Sequence, residues 1–425
     1  MRIAIIGTGI AGNVVAHKLH RQHDITVFEA GSHAGGHTHT HDIPDNGNTH
    51  AIDTGFIVFN DWTYPGFIAL LDELGVESTA TAMSFSSSCR STGIEYSGSS
   101  LNTLFAQRRN LLRPGFHGMI RDILRFNRES RELLQDDDAD LSLGQYLAEN
   151  NYGNLFINNY IIPMGAAIWS TDPQLMLSFP AVNFIRFFYN HGLLNVKDRP
   201  QWRVIKGGSR EYVKKLTAGF IDRIQLNTPI VAIRRAPTHV TVQTASGMKQ
   251  QFDHVFIASH SDQALDMLSD ATQRECEVLG AIPYQKNEVV LHTDTSLLPR
   301  TKRAWAAWNY LSRGRDAARV SVTYNMNILQ HIQSGSTYCV TLNDTENIDP
   351  EKIIRRLCYD HPVFTASGIA AQQCQREING VRRSWYCGAY WRNGFHEDGV
   401  FSALQAVKHF EEQTGDAQSS LRRAG

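Results

Sequence analysis

The sequence predicts an α/β fold organised on a parallel, dinucleotide-binding sheet, and three observations near the N-terminus predict it. Arg2-Ile-Ala-Ile-Ile-Gly7 is a short β-branched run, the pattern of a strand buried on both faces. Gly7-Thr-Gly9-Ile10-Ala11-Gly12 follows at once and opens a helical pattern through Leu19. A second strand, Asp24-Ile-Thr-Val-Phe, ends in Glu29. Gly7 permits the tight turn, Gly9 lets a pyrophosphate approach the backbone, and Gly12 lets the helix pack close to the sheet. The helix start offers free N–H groups and partial positive charge to phosphates. Glu29 can accept hydrogen bonds from both ribose hydroxyls.

The chain has 425 residues, enough for two or three domains' worth of core, with 42% apolar and 20% charged residues. A net charge of −1 gives no global attraction to nucleic acid, and none is predicted as a partner. No apolar run reaches the length of a membrane span. The chain enters the nucleotide strand at once, which predicts no signal peptide. The six cysteines are scattered without a CxxC pair, as in a reduced, cytoplasmic protein. No second GxGxxG is present, so no dedicated NAD(P)H domain is expected.

Glu29-Ala30-Gly31-Ser-His-Ala-Gly35-Gly36-His37 carries the next step. A Glu followed by this Gly pair resembles the extended fingerprint of FAD proteins related to monoamine oxidase, phytoene desaturase and protoporphyrinogen oxidase. From residue 1 to about 410 the chain is also similar to a bacterial group of predicted NAD/FAD-binding proteins. Asp53-Thr54-Gly55-Phe56-Ile-Val-Phe-Asn60, Pro163 to Ser170, Lys206-Gly-Gly-Ser-Arg-Glu211 and Gly388-Ala-Tyr with Gly394-Phe-His-Glu397-Asp398-Gly399 are blocks typical of that group. The resemblance implies FAD held non-covalently in a Rossmann-like domain of the glutathione-reductase type. It also implies a discontinuous α+β substrate domain containing an antiparallel sheet. Segments 1–78, 203–275 and 380–425 are assigned to the first and 79–202 and 276–379 to the second.

Along the chain, His37, His39 and His41 alternate and would share one strand face, a spacing that also suits a metal. We read the segment as a strand leaving the Gly pair, with no metal and with His37 near the pyrophosphate, where the family usually has Arg. The resemblance lays Gly55 and Phe56 along the isoalloxazine ring. An amphipathic helix follows from Tyr64 to Leu74. Segments 83–88 and 93–98 read as a hairpin. Segment 101–128 holds six arginines (Arg108, Arg109, Arg113, Arg121, Arg125, Arg128) interleaved with apolar residues and broken at Pro114-Gly115. It reads either as a helical layer with a solvated face or as a peripheral contact with an anionic membrane on its inner, cytoplasmic side. The acidic run 135–140 reads as a turn. Segments 160–169 and 179–192 form the most aromatic zone, read as the wall of an apolar pocket.

The strand 228–234 resembles the one whose Val231 backbone meets the FAD adenine, and Ala258-Ser-His260 lies at the dinucleotide. Segments 251–259 and 239–242 read as a hairpin. Segments 288–294, 304–310, 320–326 and 338–342 alternate as strands of the antiparallel sheet, and 385–388 as the last strand of the flavin domain. A helix from Phe401 to Phe410 follows, with a frayed tail. Two departures from the family matter. Where amine oxidases of this fold carry a Lys under the flavin, the alignment points to Glu288, or after a one-residue slip to Lys286. Gly388 is followed by Ala389 and Tyr390 instead of an acid, so Glu397 or Asp398 is expected to substitute.

The resemblance thus implies an FAD-dependent oxidoreductase. With its aromatic, charge-poor zone, the chain reads as a desaturase or double-bond isomerase for a lipid acyl chain, with Glu288 and Tyr324 as the candidate proton-handling residues. The similar bacterial proteins are often encoded beside a cyclopropane-fatty-acid-synthase-like methyltransferase, which makes that enzyme an expected partner. The alternatives are a flavin amine or amino-acid oxidase and a non-catalytic lipid or protein carrier on the same fold.

Overall fold

The structure, a computed structural model, describes residues 1–135, 141–169, 173–313 and 321–415. The expected turn at 136–140, Ser170, Val320 and the tail beyond 415 lie outside them. Five parallel strands form the organising sheet, in the order Ile224–Gln225, Asp24–Phe28, Arg2–Ile6, His254–Ile257, Ser384–Tyr386. Both faces are covered, and successive residues of each strand divide between two cores because side chains alternate across a sheet. Ile3, Ile5, Val27, Phe256 and Trp385 pack under the helices Ile10–Leu19, Pro65–Glu73, Arg210–Thr217 and His396–Thr414. Ala4, Ile6, Phe28, Val255 and Tyr386 face the three-stranded antiparallel sheet Ile230–Arg235, Val240–Thr244, Lys249–Phe252. This double burial explains the unbroken apolar runs at 3–6 and 255–257.

A seven-stranded sheet runs in the order Ile353–Pro362, Tyr284–His292, Cys339–Leu342, Ser321–Asn325, Trp308–Ser312, Phe85–Cys89, Ile94–Ser97. The expected antiparallel pairing holds except between Trp308–Ser312 and Phe85–Cys89, which run parallel. The chain leaves the sheet after Ser97 and returns much later, so no hairpin dictates the direction of that pair. Helices from 101–190 cover the sheet around an aromatic core that includes Phe116, Phe126, Phe156, Trp169, Phe184, Phe188 and Trp308. Pro163 has no N–H for the Asn159 carbonyl; the helix widens into a π turn over Ile157–Ile161, and the Tyr96 hydroxyl donates to that carbonyl at 2.8 Å.

Several boundaries differ from expectation. The hairpin expected through 251–259 is two strands: Lys249–Phe252 stays in the antiparallel sheet, and after Asp253 His254–Ile257 joins the parallel one. Residues 304–307 precede their strand, which spans Trp308–Ser312. The last helix starts at His396, not Phe401, so Glu397, Asp398 and Gly399 sit in its first turn. No helix among the described residues is long and apolar enough to cross a membrane.

Candidate active site

The carboxyl ends of four parallel strands converge on one crevice: Gly7, Glu29, Ala258 and Gly388 each follow a strand end, the place where open α/β sheets bind ligands. Gly12 lies so close to the first strand's end that a Cβ on it would stand 2.0 Å from the Gly7 carbonyl oxygen. A Cβ on Gly9 meets nothing within 4 Å. Gly9 thus borders open space at the start of the helix Ile10–Leu19. Glu29 folds over the same turn and accepts the Thr8 N–H at 2.9 Å and the Gly31 N–H at 2.7 Å. Gly36 closes the crevice from above, with its Cβ position 2.9 Å from the Gly9 Cα. On the adenine side, the register slips between Ile230 and Ala232. Val231 is the bulged residue, which leaves its backbone outside the ladder, as an adenine contact requires.

His37 parts company with His39 and His41. The imidazoles of His33 and His39 stack at 4.0 Å, and His41 lies tilted against His39 at 4.1 Å. The His37 ring turns the other way, toward Tyr359 (5.0 Å), His361 (5.6 Å) and His260 (6.0 Å), because the strand begins only at Thr40. Its Nε2 is buried with no protein partner. Burial, with His361, His260 and His396 around it, pushes the His37 pKa well down. Burial thus favours the neutral ring, which can serve the pyrophosphate as an N–H donor where the family usually has Arg. Gly55 is also closely packed. Its close approach is to His37, whose carbonyl oxygen lies 2.0 Å from the Gly55 Cβ position and accepts the Phe56 N–H at 2.8 Å. Phe56 stacks on His396 at 3.6 Å. Thr54 is buried, and its hydroxyl meets the Tyr359 hydroxyl at 3.0 Å. Asp53 ties its block to the Lys206–Glu211 block by accepting the Ser209 N–H (3.0 Å) and hydroxyl (2.7 Å).

Glu397 and Asp398 do not reach the crevice with their carboxylates. Glu397 accepts the N–H groups of Gly66 (3.0 Å) and Phe67 (2.8 Å), capping the helix Pro65–Glu73. Asp398 accepts those of Phe395 (2.9 Å) and Asn393 (3.2 Å), capping its own helix. Orphan N–H groups at helix starts claim both acids. Gly399 packs on Ile10, 2.5 Å from its Cγ2 at the Cβ position, and Gly388 packs on the Tyr390 ring.

Glu288 is a further correction. In the strand Tyr284–His292 it alternates with buried Asn287 and Val289, so its side chain is exposed and accepts the Thr345 hydroxyl at 2.9 Å. Lys286 shares its parity and its exposure. Glu288→Gln is therefore expected to reduce its flavin at the parent's rate; a loss of tenfold or more in stopped-flow reduction would return Glu288 to the chemistry. Tyr324 does point inward, with its ring parallel to Trp308 at 6.1 Å.

Sequence reasoning missed three groups that the fold gathers. His396 Nε2 meets the Tyr212 hydroxyl (2.9 Å) and the Thr38 hydroxyl (3.1 Å), joining three distant segments at one end of the crevice. His361 and Tyr359 arrive from an edge strand, and Tyr284 stacks on His260 at 4.5 Å. Only His396 carried a signal, as part of a typical block. The aromatic zone reaches the same place: Trp169 packs on Phe187 at 4.8 Å, and Phe187 on Phe395, beside His396, at 5.5 Å. A cavity of about 160 Å³ opens between Trp169, Met176, Phe179 and Phe364, bounded by Pro362 next to His361.

The sequence profile of the flavin containing amine oxidoreductases matches residues 10–387. The chain belongs to that family. Solved structures agree on the fold. A cyclohexylamine oxidase from Brevibacterium oxydans superposes with a TM-score of 0.69 at 15% identity, covering 97% of this chain and 99% of that one. A putative protoporphyrinogen oxidase from Exiguobacterium gives 0.68 at 17%, covering 97% and 99%. A fatty acid isomerase from P. acnes that produces CLA gives 0.66 at 17%, covering 96% and 98%. Curated protein sequences show no significant match. FAD is the cofactor of this family member, and the residues present fit it. The open space at Gly9, the start of the helix Ile10–Leu19 and the orphaned His37 Nε2 suit the pyrophosphate, Glu29 the ribose, and Val231 the adenine.

Buried histidines set the acid response. Burial pushes His191, His292 and His361 down to about 4 and His396 to about 3. In the unfolded chain such rings titrate near 6.5. Between those values the unfolded state binds more protons, so stability falls as pH drops through about 6.5 to 4. Asp53 and Asp398, raised to about 6 by burial, act oppositely between about 4 and 6 but are outnumbered. The Tm of the FAD-loaded protein is expected to be lower at about pH 5 than at about pH 7; an equal or higher value at the lower pH contradicts this reading.

Proposed function

We propose that this FAD-dependent oxidoreductase acts on an apolar substrate, a lipid acyl chain, by desaturation or by shifting a double bond. The observation that carries the reading is the chemistry of the cavity beside the histidine crevice. Among the described residues none that lines it is charged: Trp169, Met176, Phe179 and Phe364 form its walls, with Pro180 and Pro362 at the edges and the hydroxyls of Ser178 and Thr365 beside them. An ammonium substrate seated there would lose its hydration with no carboxylate among the described lining residues to replace it, at a cost of several kcal/mol. An apolar chain loses nothing, and a space of this size takes a benzene-sized portion of it. The fatty acid isomerase on the same fold supports the reading. Bound flavin supplies reversible hydride chemistry. The protein's part is to hold the chain by shape, exclude water with the rings of Trp169, Phe187 and Phe395, and offer a neutral imidazole at His361 as a proton acceptor.

Mass spectrometry of lipids from cells with and without the chain tests this: a new unsaturated or isomerised acyl product is expected. An unchanged lipid profile together with peroxide release from an amine panel would replace it with the second reading, an amine oxidase. The cyclohexylamine oxidase and putrescine oxidases on the same fold favour that alternative. We also propose that FAD is held without a covalent bond. Cys387 is buried, and its thiol is pushed up to about 12, so it is no nucleophile. Acid precipitation should release all yellow colour, and a coloured pellet would contradict it.

A further inference from the structure

Segment 101–128 presents an outward face that the site does not use. The turn Arg108–Leu112 leads through Arg113 into the helix Pro114–Glu129. The helix buries Phe116, Met119 and Phe126 in the aromatic core. Its other side displays His117, Arg121, Leu124 and Arg128, spaced three or four residues apart and so aligned along one stripe. The stripe continues onto the turn, because His117 Nε2 bonds the Leu111 carbonyl at 2.8 Å. There the leucines stand out: Leu112 is 88% exposed, Leu101 76%, Leu124 51% and Leu111 50%. The turn is tied down while it does this. Arg108 donates to the Phe105 carbonyl at 2.8 Å and Arg109 to the Gly93 carbonyl at 2.7 Å. Buried Asn110 anchors its centre.

Charge surrounds these leucines. Arg108, Arg109 and Arg113 donate only to neutral oxygens among the described residues, so their positive charge is not neutralised locally. Arg121 adds a further exposed cation. Arg125 and Arg128 are partnered by Asp122 and Glu129. Protruding apolar side chains on a tied turn, ringed by guanidinium groups that have no acidic partner among the described residues, suit a surface that is negative at its boundary and apolar just beneath. We infer that this face docks on an anionic lipid surface, with Leu111 and Leu112 inserted among the acyl chains and the arginines on the headgroup phosphates. The docking requires no particular substrate. It holds the aromatic core one helix diameter, about 10 Å, from the lipid.

Sedimentation of the FAD-loaded protein with vesicles tests the inference. One set is phosphatidylcholine alone, the other an equal mixture with phosphatidylglycerol. Binding is expected only to the mixed vesicles, fading as salt shortens the screening length. The double variants R113E/R121E and L111S/L112S leave Arg108 and Arg109 to hold the turn and lie outside the crevice, and their flavin absorbance reports that the fold is intact. Each should lower the partition coefficient by tenfold or more, since one basic residue contributes roughly fivefold and one inserted methylene about fourfold. Equal sedimentation with both vesicle sets, or with neither, overturns the proposal; the latter is also what a protein partner on this face would give. Unchanged binding of the arginine variant overturns it. So does unchanged binding of the leucine variant, because attraction without insertion would not need this turn.

Discussion

Gly9→Ala is expected to fold as the parent does and to lose most of its FAD, whereas Gly12→Ala is expected to lose both fold stability and FAD. Gly9 has φ −60° and ψ 177°, which alanine adopts freely, and its added methyl meets no protein atom within 4 Å. Unfolding stability should therefore stay within about 0.5 kcal/mol of the parent's. The methyl instead occupies the space that the pyrophosphate must enter, and affinity should fall roughly a hundredfold, about 2.7 kcal/mol. At Gly12 the new Cβ stands 2.0 Å from the Gly7 oxygen and 3.2 Å from the Ala258 Cβ. The first clash is backbone on backbone, so no flexible side chain can yield and the helix must move off the sheet. That should cost about 3 kcal/mol or more, at the top of the range for overpacking. Flavin absorbance relative to protein and urea unfolding of the apoproteins check both. Full FAD content in Gly9→Ala would show that the turn is not the cofactor's seat, and parent-like stability in Gly12→Ala would show that the helix can move off the strand at little cost.

The second large effect lies away from the crevice, at Arg235. Its side chain is fully buried and bonds Asp270 at 2.7 Å and both oxygens of Glu275 at 2.6 and 2.9 Å. Tyr386 donates its hydroxyl to the same Glu275, so the network clamps the last parallel strand to the antiparallel sheet. Glu275 is held below the usual carboxylate range, against its burial, by the Arg235 hydrogen bonds. Arg235→Ala would strand that buried charge, and a cost of about 3–5 kcal/mol is expected in urea unfolding. Arg235→Lys should recover little, since an ammonium cannot reproduce the bidentate fork. Joint replacement by Arg235→Met and Glu275→Leu should recover much of the loss, because the fully buried carboxylate leaves with its partner while Asp270 keeps Arg382 at 3.5 Å. A loss under about 1 kcal/mol in Arg235→Ala would show that the network contributes little.

Arg235 also shows where reading a sequence stops. In the chain it is one of two adjacent arginines at the end of an ordinary strand, and its acids come 35 and 40 residues later. Glu288 fails for a related reason. Side-chain direction in a strand alternates with each residue, so a role inferred from an approximate alignment lands on the wrong face after a slip of one. Glu397 and Asp398 failed through a helix start placed five residues late, which hid the backbone donors that claim them.

The sequence by itself determined the strand–turn–helix around Gly7, Gly9 and Gly12, the second strand ending at Glu29, and the α/β class. Those features depend on neighbours within a few residues, where sterics and apolar periodicity act directly. It also marked the aromatic zone, since hydrophobicity is legible wherever it accumulates. Only the tertiary structure decided which rings face the crevice. His37, His260, His361 and His396 lie on four segments far apart in the chain, and strand register together with helix packing brings them together. No local rule encodes that meeting: it depends on the direction of each side chain and on burial, and burial is also what holds these histidines neutral.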